Sequence, residues 1–313
     1  MTNLINLFLN VFLILIGIID NKLRHSSKRG NIEMDMKRYF IHDGNMDIHI
    51  TEWGCKTNPV IFCFHGLGST GLSFIEIADE LKEDYRIISI DAPGHGKTPP
   101  FSDEEKYEYP KLAVWINRIL DILEIETFYF LSHSWGSFVA LYYLIEFPGR
   151  TIGTILIDGG YQTKRRGEKS MEQEIAHYVK DFEEYVFNNW NDFISSEKAA
   201  YSRWSQLLEL AVKDLGIVLD NKVRWHARGK TAKHIIQAMH KNETEDIYDQ
   251  LPPHILLLRS TLPLQTIDGR TFTSEIFKEK ANSQIKLVDN STHMLHWDYP
   301  AVVVSEIRKN WII

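Results

Sequence analysis

The stretch TFYFLSHSWGSFVALYYL, residues 127 to 144, sets Ser134 between two small residues, Ser132 and Gly136, after an apolar run and ahead of a helix-like pattern. A serine hydroxyl is well placed for nucleophilic attack on a sharp strand-to-helix turn. Its Oγ then stands clear of the sheet, and the next backbone N–H and the helix N-terminus face the oxyanion that forms. So tight a turn admits only small side chains two residues either side of the nucleophile. Ser132 and Gly136 meet that requirement, with Ser132 where a glycine is usual. A second oxyanion donor must come from a neighbouring loop that can approach the substrate closely, and the glycine-rich FHGLGST closes an earlier apolar run. The expected donors are the amides of Leu67 and Trp135. His65 in the same motif reads as a packed structural histidine.

Other chemistries find less support. No His-Glu-x-x-His or similar ligand spacing occurs, so no metal is expected. The two cysteines are Cys55 and Cys63, and the second lies in the apolar run VIFCFHG, where a buried free thiol is the ordinary reading. Lys plus Arg total 35 against 42 for Asp plus Glu, a formal charge of −7, with no basic stripe interleaved with aromatics. Nucleic acid is therefore not an expected partner.

The elements that must hold these residues alternate. A hairpin opens the domain: KRYFIH, the turn residues Asp43-Gly44-Asn45, then MDIHITEW. VIFCFHG follows as a continuously apolar strand, then a helical pattern from Ser73 to Lys82. YRIISIDAPGHG repeats the strand-then-loop arrangement, and Tyr109 to Leu123 is again helical. TFYFL is a third strand with its helix over residues 137 to 147, and TIGTILIDGG is a fourth. Such alternation makes an α/β fold, a mostly parallel sheet with helices on both faces. Residues 161 to 250 contain no strand pattern, only polar and aromatic helical ones, and read as an inserted helical cap. Strand and helix return with HILLLR, a helical pattern near 273 to 281, QIKLVD and a last helix near 298 to 310. The core thus comprises residues 34–160 and 251–313.

Taken in order, FHGLGST, DAPGHGKT, LSHSWGS and NSTHMLHWDYP resemble the α/β-hydrolase superfamily from about residue 37 to the C-terminus. The four motifs identify a fold, not a substrate. The resemblance implies a triad in the chain order serine, acid, histidine, with the histidine on the loop after the last strand. His293 matches that position, and His296 reads as a packing or pocket-rim residue. The usual acid-bearing loop after HILLLR reads STLPLQTIDGRT and has no carboxylate before Asp268. A minority of members take the acid from the end of the preceding strand, here Asp158. Asp158 is the expected acid, Asp268 the alternative, and Asp289 a third option. Asp91 and His95 of DAPGHGKT are expected in a structural turn with glycines at positive φ.

The function implied is hydrolysis of a carboxylic ester or related acyl bond on a small, apolar substrate, through an acyl-enzyme and with no cofactor. Carbon–carbon bond hydrolases, cofactor-free dioxygenases and non-catalytic binding proteins share the scaffold. The cap aromatics Tyr161, Trp190, Tyr201, Trp204 and Trp225 are candidates for an apolar substrate pocket or for packing of the cap. Residues 4–19 form a 16-residue apolar run, short of the ~20 that span a bilayer. Lys22, Arg24, Lys28 and Arg29 follow it. The 1–33 segment reads either as a membrane anchor or as an extension outside the working domain, and an anchor would leave the catalytic domain facing the cytosol. The expected location is the cytoplasm.

Overall fold

Runs rich in Ile, Val, Leu and Phe form one eight-stranded sheet in the computed structural model, which describes residues 36–167 and 169–311. The segment 1–33, on which the anchor reading rests, lies outside the described residues. The strands are β1 (Met36–His42), β2 (Asp47–Trp53), β3 (Val60–Phe64), β4 (Arg86–Ile90), β5 (Phe128–His133), β6 (Thr151–Ile157), β10 (Ile255–Ser260) and β11 (Gln284–Val288). Their spatial order is β1-β2-β4-β3-β5-β6-β10-β11. The β1–β2 hairpin and the β2–β4 pair are antiparallel, and every later neighbour pair is parallel.

This order positions the site. From β3 the chain goes to β4 on one side and then crosses to β5 on the other, so β3 and β5 are neighbours with Phe64 opposite Ser132. Loops leaving two such strands diverge at their carboxyl ends and open a crevice at the switch point. FHGLGST leaves β3 there and SHSWG leaves β5. The strands β3 to β5 are buried almost throughout, as expected for a sheet covered on both faces.

The helices of the first half are α1 (Ile75–Leu81), α2 (Tyr109–Ile122) and α3 (Trp135–Glu146). In α2 the buried positions Tyr109, Leu112, Ala113, Ile116, Ile119 and Leu120 follow the spacing of one helical face. Helix α3 is buried from Trp135 to Leu144, which its lack of charge before Glu146 allows.

Between β6 and β10 the inserted segment carries α4 (Met171–Glu184), α5 (Trp190–Ala200), α6 (Gln206–Asp214) and α7 (Gly229–Lys241). Ser170, Asn189 and Ser205 cap α4, α5 and α6 through their side chains, and Gln173 completes a capping box with Ser170. The expectation of an all-helical cap needs correction. A three-stranded antiparallel sheet lies inside it, ordered β7 (Val186–Phe187), β9 (Lys222–Trp225), β8 (Gly216–Leu219). Strands of two to four residues are too short to show alternation. The readable signal was the turn: Asp220 and Asn221 join β8 to β9 with φ of 52° and 57°, the geometry of a tight primed hairpin turn.

After β10 come α8 (Ile267–Lys280), α9 (Leu295–Asp298) and α10 (Pro300–Asn310). Helix α8 begins six residues ahead of the expected 273 because Gly269, read as part of a loop, is tolerated inside its first turn. Among the described residues no helix is long and apolar enough to cross a membrane.

Candidate active site

Ser134 sits between β5 and α3 with φ 51° and ψ −120°, a conformation an L-residue adopts only when its surroundings enforce it. Its amide donates to the Ile157 carbonyl at 2.9 Å, and its carbonyl accepts from the Ser137 amide at 2.9 Å. Two glycines make room for the bend. A Cβ on Gly136 would stand 2.4 Å from the Phe64 carbonyl oxygen, and one on Gly159 would stand 2.2 Å from the Ser134 carbonyl oxygen. Ser132, in the place of the usual glycine, is fully buried and donates its hydroxyl to Ser137 Oγ at 3.1 Å. The hydroxyl therefore has a partner and needs no extra space.

The structure brings His293 and Asp158 to this serine. His293 Nε2 lies 2.8 Å from Ser134 Oγ, and its Nδ1 lies 2.8 Å from Asp158 Oδ2. Asp158 follows β6 with φ 45° ahead of two glycines and is 1% exposed. It also accepts from the Ser260 amide at 3.1 Å and hydroxyl at 2.7 Å, the Tyr161 hydroxyl at 3.1 Å and the Arg270 guanidinium at 3.2 Å. Burial works against its charge. The hydrogen bond and charge of His293, the Arg270 charge and the Ser260 hydroxyl outweigh burial and hold the carboxyl well below the usual carboxylate range. An ionised carboxylate can only accept, so His293 Nδ1 carries the proton and Nε2 presents its lone pair to Ser134.

Of the other acid candidates, Asp268 is exposed in the first turn of α8 and Asp289 is exposed after β11. The carboxylate at His293 Nδ1 belongs to Asp158. Helix α8 contributes Arg270 instead, two residues past Asp268. Sequence reasoning missed Arg270 and Ser260, and no local pattern marks either.

His133, next to Ser134, is a third unforeseen residue. It is 3% exposed, and its Nε2–H donates to the His293 carbonyl at 2.9 Å, tying the histidine loop to β5. Burial pushes its pKa down to about 3, helped by the nearby His293, so it stays neutral. His296 is buried with Nε2 2.8 Å from Ser73 Oγ and is a packing residue. His65 Nδ1–H donates to the Gly66 carbonyl at 2.8 Å while Nε2 accepts from the Ala92 amide at 3.0 Å. It thereby braces the loop after β3. Asp91 accepts from the Gly71 and Lys97 amides and from His49, with Gly94 and Gly96 at φ 79° and 50°, the structural turn expected.

Leu67 lies in a turn closed by the Ser69 amide donating to the Gly66 carbonyl at 3.1 Å, with Gly68 at φ 79°. Among the described residues neither the Leu67 nor the Trp135 amide donates to a protein acceptor. The Trp135 amide follows Ser134 at the N-terminus of α3, where the helix dipole favours negative charge, and Leu67 follows Gly66, on which a Cβ would stand 3.0 Å from Ser134 Cβ. Of the cap aromatics, Trp225 stands over this turn, its indole N–H donating to the Gly68 carbonyl at 2.8 Å. Tyr161 serves Asp158, Tyr201 packs on Trp297, Trp204 donates to Glu209, and Trp190 is 36% exposed.

A family model described as the alpha/beta hydrolase fold matches residues 59–298. A serine hydrolase-like protein of Danio rerio is 27% identical over 106 residues, covering 34% of this chain and 32% of that protein. Epoxide hydrolase 4 of Mus musculus is 25% identical over 118 residues, 38% of this chain and 33% of that protein. The chain spans about a third of the length of these curated relatives. Among solved structures, a thioesterase domain from the curacin biosynthetic pathway has a TM-score of 0.69 at 20% identity, covering 87% of this chain and 98% of that one. E-2-(acetamidomethylene)succinate hydrolase has a TM-score of 0.72 at 15% identity, covering 88% and 98%. At these identities the likeness is one of fold. With the family model spanning most of the chain, and with the sheet order and the elbow already described, the chain belongs to the α/β hydrolase fold family.

Proposed function

We propose that this chain is a serine hydrolase that cleaves a carboxylic ester or related acyl bond. The observation that carries the reading is the unbroken line from Asp158 through His293 to Ser134, with both links at 2.8 Å. As Ser134 Oγ attacks the acyl carbon, its proton passes to His293 Nε2, and the imidazolium is stabilised by Asp158 at Nδ1. The tetrahedral oxyanion is held by the Leu67 and Trp135 amides. Collapse expels the alcohol or thiol, which takes the proton from His293 and leaves an acyl ester on Ser134. Water, deprotonated by His293, then attacks that ester; the acid departs and Ser134 regains its proton.

One relative is named an epoxide hydrolase, but a hydrolase that forms an alkyl ester on the enzyme needs a carboxylate nucleophile. This elbow carries the hydroxyl of Ser134. Carbon–carbon bond hydrolysis and cofactor-free oxygenation are the rival activities on the scaffold, and a binding protein without activity is the rival of another class. A series of p-nitrophenyl esters of increasing acyl length tests the proposal. Turnover that Ser134→Ala abolishes supports it, and no turnover at any length contradicts it.

A further inference from the structure

Two hydrogen-bonded bridges run from the cap to the loops that flank Ser134, one on each side. On the oxyanion side, Trp225 at the end of β9 donates its indole N–H to the Gly68 carbonyl at 2.8 Å across 157 residues of chain. The two faces fit closely: a Cβ on Gly68 would stand 2.9 Å from the Trp225 ring and 3.0 Å from that of Phe182. Leu67 packs in the same cluster with Phe182, Tyr178 and Trp225. The turn is thus gripped from two directions. His65 and the Ser69 amide hold the Gly66 carbonyl from the core, and Trp225 holds the Gly68 carbonyl from the cap. The Leu67 N–H belongs to the first of these peptides, the planar unit whose Gly66 carbonyl is held.

On the histidine side, Ser202 of the cap donates to Asp298 Oδ1 at 2.7 Å. Asp298 is 5% exposed, and its other oxygen accepts from both the amide and the hydroxyl of Thr292 at 2.7 Å. Thr292 immediately precedes His293. The neighbouring cap residues reinforce this strap: Arg203 pairs with Glu76 of α1 and donates to the Trp297 carbonyl at 2.6 Å, and Ser205 donates to Glu76 at 2.7 Å. Charge-assisted bonds of this kind are shorter and stronger than neutral ones.

Resting on the hydrolase reading above, we propose that the cap positions the active site as well as covering it. Trp225 sets the oxyanion turn, Ser202 through Asp298 sets the loop of His293, and the site has its working geometry only with the cap seated. Trp225 and Ser202 are positioning residues: each acts through another group and neither donates to the reacting atoms.

The test uses the full chain and p-nitrophenyl acetate, whose acyl group is too small to need a cap pocket, together with the rate at which a fluorophosphonate labels Ser134. Removing a whole oxyanion donor costs about 10²–10³-fold in kcat, and loosening its support costs less. Trp225→Phe, which keeps an aromatic ring, and Ser202→Ala should each lower kcat and the labelling rate by about tenfold with KM unchanged within about twofold. Val218→Ser, on the exposed cap hairpin, should leave both rates at wild type. Wild-type kcat and labelling in both Trp225→Phe and Ser202→Ala overturn the inference while leaving the hydrolase reading intact. Failure of the wild-type chain to be labelled overturns that reading and the inference with it. A loss confined to KM also counts against the inference, because it would make these residues substrate contacts.

Discussion

Ser134 is held in its left-handed conformation by hydrogen bonds and by two glycines, and is aimed at a histidine whose proton position is dictated by a buried carboxylate. In the proposed mechanism that arrangement assigns the acid's part to Asp158 and gives it a distinguishable signature. Asp158→Asn keeps the shape but can turn the imidazole to the wrong tautomer, and should lower kcat by about 10³- to 10⁴-fold. Asp268→Asn should leave turnover at wild type. Equal losses from the two substitutions would remove Asp158 from the mechanism. The serine and the histidine were readable because each sits in a short motif next to its strand. Asp158 was not singled out by local sequence, since of its partners only Tyr161 is near in the chain, while Ser260, Arg270 and His293 lie 102, 112 and 135 residues away. Only the fold brings those groups to one point.

At the scale of elements, the site depends on β3 and β5 being neighbours although α1, β4 and α2 separate them in the chain. Alternating apolar runs and helical patterns made the strands and helices legible, but not the cap sheet, whose strands are too short for periodicity. The β6 turn is the element on which the elbow leans most closely. A methyl group at Gly159 would meet the Ser134 carbonyl at 2.2 Å. Gly159→Ala should therefore displace the elbow, costing about 1–3 kcal/mol of stability and most of the turnover. Urea denaturation and an ester assay on the same preparation check this, and wild-type values in both would show that the elbow does not rest on that turn.

Over the whole molecule, the chain buries an unusual set of histidines around the crevice. Burial pushes His65 down to about 4 and His133 to about 3, and moves His95, His226 and His296 in the same direction. A histidine whose folded pKa is depressed binds its proton more readily in the unfolded chain. Acidification from the ordinary 6.5 toward 4 therefore favours unfolding, by roughly 1.4 kcal/mol per pH unit for each such histidine that stays neutral in the fold. The urea midpoint should drop clearly between pH 7 and pH 5. An unchanged midpoint would mean that these rings charge freely in the native state.

The most direct measurement is the site and stoichiometry of reaction with diethyl p-nitrophenyl phosphate, an organophosphate that captures an activated serine. One equivalent of p-nitrophenol per chain is expected, with the added mass on the peptide containing Ser134, and His293→Ala should slow the reaction at least about a thousandfold. An adduct on another residue, or labelling at the same rate without the imidazole, would contradict the assignment of Ser134 and His293 as nucleophile and base.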